Sequence, residues 1–254
     1  MYNPTRRNRN IGTSNQGFSP DNKMTIPEMN VTELCYYERL GKYMKYKRVI
    51  HGHEFIFVVE ETRKSSEHAC SVNDIERIIG HIPVVDYGDL DLIVLRQPTR
   101  KEEMLSRVWG RLIYSYKFEG DYHVAILLEA VDTSKTMKWK KQLPLEEQHE
   151  FERLKEDGHV FCEGKRYFEA PLNMEHIRNT QLYRTLPHEF GHYVHYLNYV
   201  ERPQSGENEE KAEEQRYEDY FNLLSREKEQ YANAYAERLR KQWQIGGVIP
   251  FDPL

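Results

Sequence analysis

Cysteine is scarce: Cys35, Cys70 and Cys162 are all that 254 residues contain. They are odd in number, widely spaced and form no CxxC pair, which argues against a disulfide framework or a cysteine zinc site. A reducing, cytoplasmic setting is the simplest reading. No apolar run approaches the ~20 residues of a membrane span, and the apolar core of a secretory signal is missing, so no membrane partner is expected. Positive charge is not in excess either. The net charge is −5, so nucleic acid is not expected as a partner. Arg6, Arg7 and Arg9 make only a small basic arm. They lie in residues 1–30, whose Asn, Ser, Thr and Pro content reads as a disordered lead-in.

Residues 31–254 read as one domain, with strands mostly before residue 170 and helices after it. Residues 31–47, with Tyr36, Tyr37, Tyr43 and Tyr46, are expected to be helical. The runs 55–59 and 90–95 read as buried strands. Ser71, with Asp74 three residues on, is a helix cap ahead of Ile75, Ile78 and Ile79, and Pro83 is the expected stop. Residues 108–118 and 122–131 form a predicted hairpin across Glu119-Gly120-Asp121, and residues 160–170 a second one over Glu163-Gly164. A short charged helix over 146–155 separates them. A helix over 180–199 follows, capped by Thr180 or Asn179. After a loop at 202–206, residues 207–243 are helical in pattern until Gly246, Gly247 and Pro250. Strands first and helices after imply an α+β fold, with a small mixed or antiparallel sheet packed on the 180–199 helix. His51 and His53 flank Gly52 in a turn and read as exposed, because no carboxylate or cysteine completes a metal set.

The chemistry concentrates in His188-Glu189-Phe190-Gly191-His192. On a helix, residues four apart stack on one face, so two imidazoles can grip one metal ion. Glu189 sits about 100° round the helix, where it can act as general base on a water at that metal. Leu182, Leu186, Phe190, Val194 and Leu197 recur at three- and four-residue steps, giving this helix a buried stripe. Pro187 is the discordant residue, since an interior proline removes a hydrogen bond and kinks a helix. A catalytic zinc needs a third protein ligand. The longer motif with a third histidine fails here, because Asn198 occupies that histidine's position and His195 that of the glycine. His195 lies ~10.5 Å along the axis from His188, too far to share one ion easily, and reads as a packing residue.

The better candidate lies in Glu229-Gln230-Tyr231-Ala232-Asn233-Ala234-Tyr235-Ala236. Glu229, Ala232, Asn233 and Ala236 share a helix face, and the two alanines would let this helix come close to the first. Glu229 would reach the metal, and Asn233 would accept the free ring N–H of a ligating histidine. The gap from His192 to Glu229 is 229 − 192 = 37 positions. An unbroken return helix would carry Glu229 ~21 Å past the metal. Either the helix breaks, with Ser225 the favoured place, or a nearer acid such as Glu214 or Glu218 is the ligand.

H-E-x-x-H followed by E-x-x-A-N-x-aromatic-A resembles the gluzincin metallopeptidases, and the second motif is similar to that of ImmA/IrrE-type enzymes, which act on regulatory proteins in bacteria and phages. The resemblance covers residues 188–192 and 229–236. It implies a zincin-like fold, zinc held by His188, His192 and Glu229, and Glu189 as base. The expected activity is zinc-dependent hydrolysis of peptide bonds in an intracellular protein or peptide, with the substrate added as a strand along an exposed sheet edge, assigned to residues 122–131. The alternative is a non-catalytic zinc-binding module for regulation or protein interaction. Three protein ligands with an open fourth position favour the enzyme, and four favour the module.

Overall fold

The computed structural model describes residues 35, 37–105, 108–203 and 209–254. The expected lead-in over 1–30 and most of the 202–206 loop lie outside them. In chain order the elements begin with β1 (Tyr43–Ile50), β2 (His53–Glu60), β3 (Ser66–Glu67), α1 (Val72–Ile79), β4 (Leu90–Arg96) and α2 (Arg100–Leu105). Then come β5 (Gly110–Phe118), β6 (Asp121–Glu129), β7 (Val131–Asp132), β8 (Thr136–Lys140), α3 (Leu145–Glu156), β9 (Cys162–Glu163) and β10 (Tyr167–Pro171). The C-terminal helices are α4 (Met174–Thr180), α5 (Leu186–Tyr196), α6 (Glu209–Asn222) and α7 (Ser225–Ile245). The chain is thus α+β, and Tyr36–Leu254 forms one compact unit.

The main sheet has the order β1-β2-β4-β6-β5. β2, β4 and β6 run parallel, while β1 and β5 are antiparallel to their neighbours at the two edges. The two faces divide by alternation along each strand. Phe55, Phe57, Ile126 and Leu128 join the helices in the larger core, and Val58, Leu92, Val94, Ala125 and Leu127 fill the opposite face. A smaller sheet, β8-β10-β9, packs near α3 around Met137, Leu154 and Ala170.

Two expectations are corrected here. Residues 43–50 are a strand, not a helix, and pair with β2 along their whole length. The cause is the two-residue turn at His51 and Gly52, with φ of 51° and 85°. Such a turn fixes a tight hairpin. His51 and His53 are structural: each Nε2 lies 2.9 Å from a carbonyl, of Gly80 and Leu90 respectively. Secondly, residues 122–131 are not an edge. β6 is bonded to β4 on one side and β5 on the other, which leaves β5 as the edge on that side of the sheet. The predicted hairpin itself is present, closed by Glu119 and Gly120 with φ of 51° and 104°.

α1 starts with the anticipated capping box, Ser71 and Asp74 exchanging hydrogen bonds of 3.0 Å, and ends at Gly80 ahead of Pro83. Asp74 does more than cap. It is buried, receives Arg178 of α4 at 2.7 Å, and accepts the Leu254 backbone N–H at 3.1 Å. Burial alone would push its carboxyl up, but the hydrogen bonds from Arg178, Ser71 and Leu254 outweigh it and hold the group below its ordinary value. The stabilisation is therefore complete above the unfolded value, about 3.9, and fades as the pH falls through the depressed folded value. Asp74→Ala strands a buried guanidinium and is expected to cost about 3–5 kcal/mol in urea unfolding, and Asp74→Asn to flatten the acid limb of the stability–pH curve.

Candidate metal centre

The motif lies within one long helical run over residues 174–201. It begins earlier than Thr180 or Asn179: Asn173 is the cap, its side chain accepting the N–H of Glu175 at 2.8 Å. Two wider π-helical turns, Gln181–Thr185 and Leu197–Glu201, interrupt α-geometry on either side of α5. The first explains Pro187. An α-turn would press the proline ring on the carbonyl four residues back. The wider turn, in which Leu186 N–H reaches the Gln181 carbonyl, relieves that register just before Pro187. Leu182, Leu186, Phe190, Val194 and Leu197 all enter the main core, as their spacing predicts. The face carrying His188 and His192 is thereby turned towards α7.

His188 Nε2 and His192 Nε2 stand 3.1 Å apart. Glu229 of α7 completes a triangle, with Oε2 3.3 Å from His188 Nε2 and Oε1 3.5 Å from His192 Nε2. These residues form a group able to hold a metal ion, their donor atoms all within 4.8 Å of one another. The charges are mutually adjusted. Hydrogen bonds from His188 and His192 hold the Glu229 carboxyl far below the usual range, against the opposing effect of burial. Burial pushes His188 down, but the Glu229 hydrogen bond and the negative charges of Glu189 and Glu229 prevail and raise it, with Arg153 opposing. Glu189 is buried, and burial lifts its carboxyl against the pull of both histidines and of the Leu112 N–H. That N–H, on edge strand β5, donates to Glu189 Oε2 at 2.8 Å.

Glu229 reaches the histidines because the C-terminal helical stretch is broken. α6 ends at Asn222 and α7 starts at Ser225, which resets the ruler that an unbroken helix would impose. Close approach does the rest. A Cβ on Gly191 would lie 2.9 Å from both Cα and O of Ala232, so only glycine fits between the helices there. Ala232 and Ala236 are buried on the face that carries Glu229.

The other candidates fall elsewhere. Glu214 and Glu218 are exposed on α6 and take no part in the group. Asn233 makes no hydrogen bond to either imidazole; it lines a neighbouring cavity with Arg184 and Arg153. His195 packs as expected, stacked on Tyr231 with ring centroids 4.3 Å apart. Asn198 donates to the Tyr231 hydroxyl at 2.7 Å. Sequence reasoning missed four participants. Leu112 acts through its backbone, which leaves no side-chain signal. Tyr220 and Tyr114 brace the motif helix, their hydroxyls donating to the His192 carbonyl at 3.2 and 3.4 Å. Gly191 stood within the motif, and its absent side chain beside a run of alanines was the available cue.

No family model, curated protein or solved structure matches this chain. Among the described residues no helix is long and apolar enough to cross a membrane. Among the described residues, Cys70 and Cys162 form no disulfide. Gly191→Ala is expected to destabilise the fold by about 1–3 kcal/mol in chemical denaturation and to move Glu229 away from the two imidazoles in a crystal structure of the variant.

Proposed function

We propose that the protein is a zinc-dependent metallopeptidase with a zincin-like fold, acting in the cytoplasm on a protein or peptide. The observation that carries this reading is the meeting of Glu229 with His188 and His192 across 37 positions, 229 − 192, beside a buried Glu189. The donor set suits zinc. Ligand atoms about 2.0–2.1 Å from a tetrahedral zinc are about 3.3 Å from one another. The separations of 3.1, 3.3 and 3.5 Å bracket that figure. No fourth His, Cys, Asp or Glu among the described residues joins the three. That favours an open coordination position over a closed structural site.

When bound, zinc would acidify a water and polarise the scissile carbonyl. His188, His192 and Glu229 would hold it. Glu189 would take the water's proton and hand it to the leaving amine. The substrate is proposed to lie along the free edge of β5, which ends the sheet and reaches Glu189 through Leu112.

Purified protein is expected to contain one zinc per chain by elemental analysis, and His192→Ala to lose it. Glu189→Gln is expected to keep the metal while peptide hydrolysis drops by about 10²–10⁴. Hydrolysis undiminished in that variant would remove Glu189 from the mechanism. Stoichiometric zinc with no hydrolysis by the wild type would leave a binding module instead.

A further inference from the structure

A cavity of about 300 Å³ is lined by residues from α3, from the motif helix and from α7. Arg184 in its wall precedes His188 by one helical turn, and Asn233 follows Glu229 by one. The cavity therefore lies one turn along both helices that supply the ligands. α3 forms the remaining wall with His149, Arg153 and Glu156.

The charges in this wall are unequally satisfied. Glu156 holds Arg184 at 3.2 Å and Arg240 at 3.0 Å, and both arginines also reach Asp157, at 2.9 and 3.2 Å. Glu152 is taken by Lys155 at 2.8 Å and Glu237 by Lys241 at 3.2 Å. Every lining carboxylate thus has a cation. Arg153 is different: the nearest acid to its guanidinium is Glu150, at 3.6 Å, beyond ordinary hydrogen-bond reach. Arg240 adds a buried Nε with no partner. Arg153 is thus the most loosely held cation of the wall.

We infer that this cavity receives a carboxylate of the substrate, held by Arg153, beside the bond to be cleaved. The inference rests on the peptidase reading. A carboxylate matches guanidinium geometry with two parallel hydrogen bonds. It has two sources in a peptide, an Asp or Glu side chain and the C-terminus itself. Arg153 is a specificity-determining residue in either case. Its guanidinium meets only Glu150, at 3.6 Å, so replacing it leaves the ion pairs of Arg184 and Arg240 in place.

The test uses zinc-loaded, full-length wild type, Arg153→Glu and Arg153→Lys on random peptide libraries with free or amidated C-termini, with products sequenced by mass spectrometry. Wild type should concentrate Asp or Glu at one fixed position beside the cut in both libraries, or cut at a fixed distance from the end in the free-acid library alone. The first outcome assigns the pocket to a side chain, the second to the terminus. In Arg153→Glu the preference should fall about tenfold or more in kcat/KM, through KM, while neutral peptides are still cleaved and Arg153→Lys keeps part of it. A wild type indifferent to carboxylates, or an unchanged preference in Arg153→Glu, overturns the inference. A second measurement separates the pocket from the chemistry. Zinc-loaded Glu189→Gln, with and without Arg153→Glu, is titrated calorimetrically with acetyl-AAEAA-amide and its Gln counterpart, and with acetyl-AAAAA as free acid and as amide. An Arg153-dependent preference for one acid of about tenfold or more supports the pocket even where wild type hydrolyses nothing, a failure that would fall on the peptidase reading alone. Equal affinities throughout overturn the pocket.

Discussion

The contact of Gly191 with Ala232 governs the rest of the site. With 2.9 Å left for a Cβ, the backbones of α5 and α7 meet there without side chains between them. That approach decides whether the Glu229 carboxylate stands beside His188 and His192 or one side-chain length away from them. Close-packed interiors do not absorb such a difference smoothly, because neighbouring side chains already fill the available volume. The two helices run in opposite senses: Glu229 faces His188 and His192, while Arg240 and Arg184 meet at Asp157. A displacement at one end is therefore carried to the other.

Buried ionic groups hold this arrangement at its ends. Asp157 follows α3, accepts the Thr180 hydroxyl at 3.0 Å, and binds Arg184 and Arg240, tying three helical elements to one carboxylate. At the far end Asp86 receives the Tyr235 hydroxyl at 2.9 Å and Arg202 at 3.1 Å, joining α7 to the loop before β4 and to the end of the motif helix. Such pairs add little net stability over an apolar replacement, since desolvation offsets attraction, but removing one partner is costly. Their directionality fixes which turn of one helix faces which turn of another.

Local rules were readable in the sequence and non-local pairing was not. The five apolar residues of the motif helix entered the core because a period of 3.6 is a property of the chain itself. The Ser71–Asp74 box was legible for the same reason. The break before α7 followed from a length argument, and the structure puts it at residues 223–224. The strand Tyr43–Ile50 was misread because tyrosines suit helix and strand patterns alike, and the deciding signal was the turn at His51 and Gly52. The edge was assigned to the wrong hairpin strand because strand order depends on β6 pairing with β4, more than 20 residues earlier in the chain. Asn233 shares a helix with Glu229, but four residues carry it past the histidines to the cavity.

Leu112 has a single backbone hydrogen to give, and Glu189 holds it at 2.8 Å. A chain laid against that stretch of β5 would claim the same hydrogen for its own carbonyl. The carboxylate and an arriving strand would be rivals for one donor, so that occupying this edge would release the glutamate.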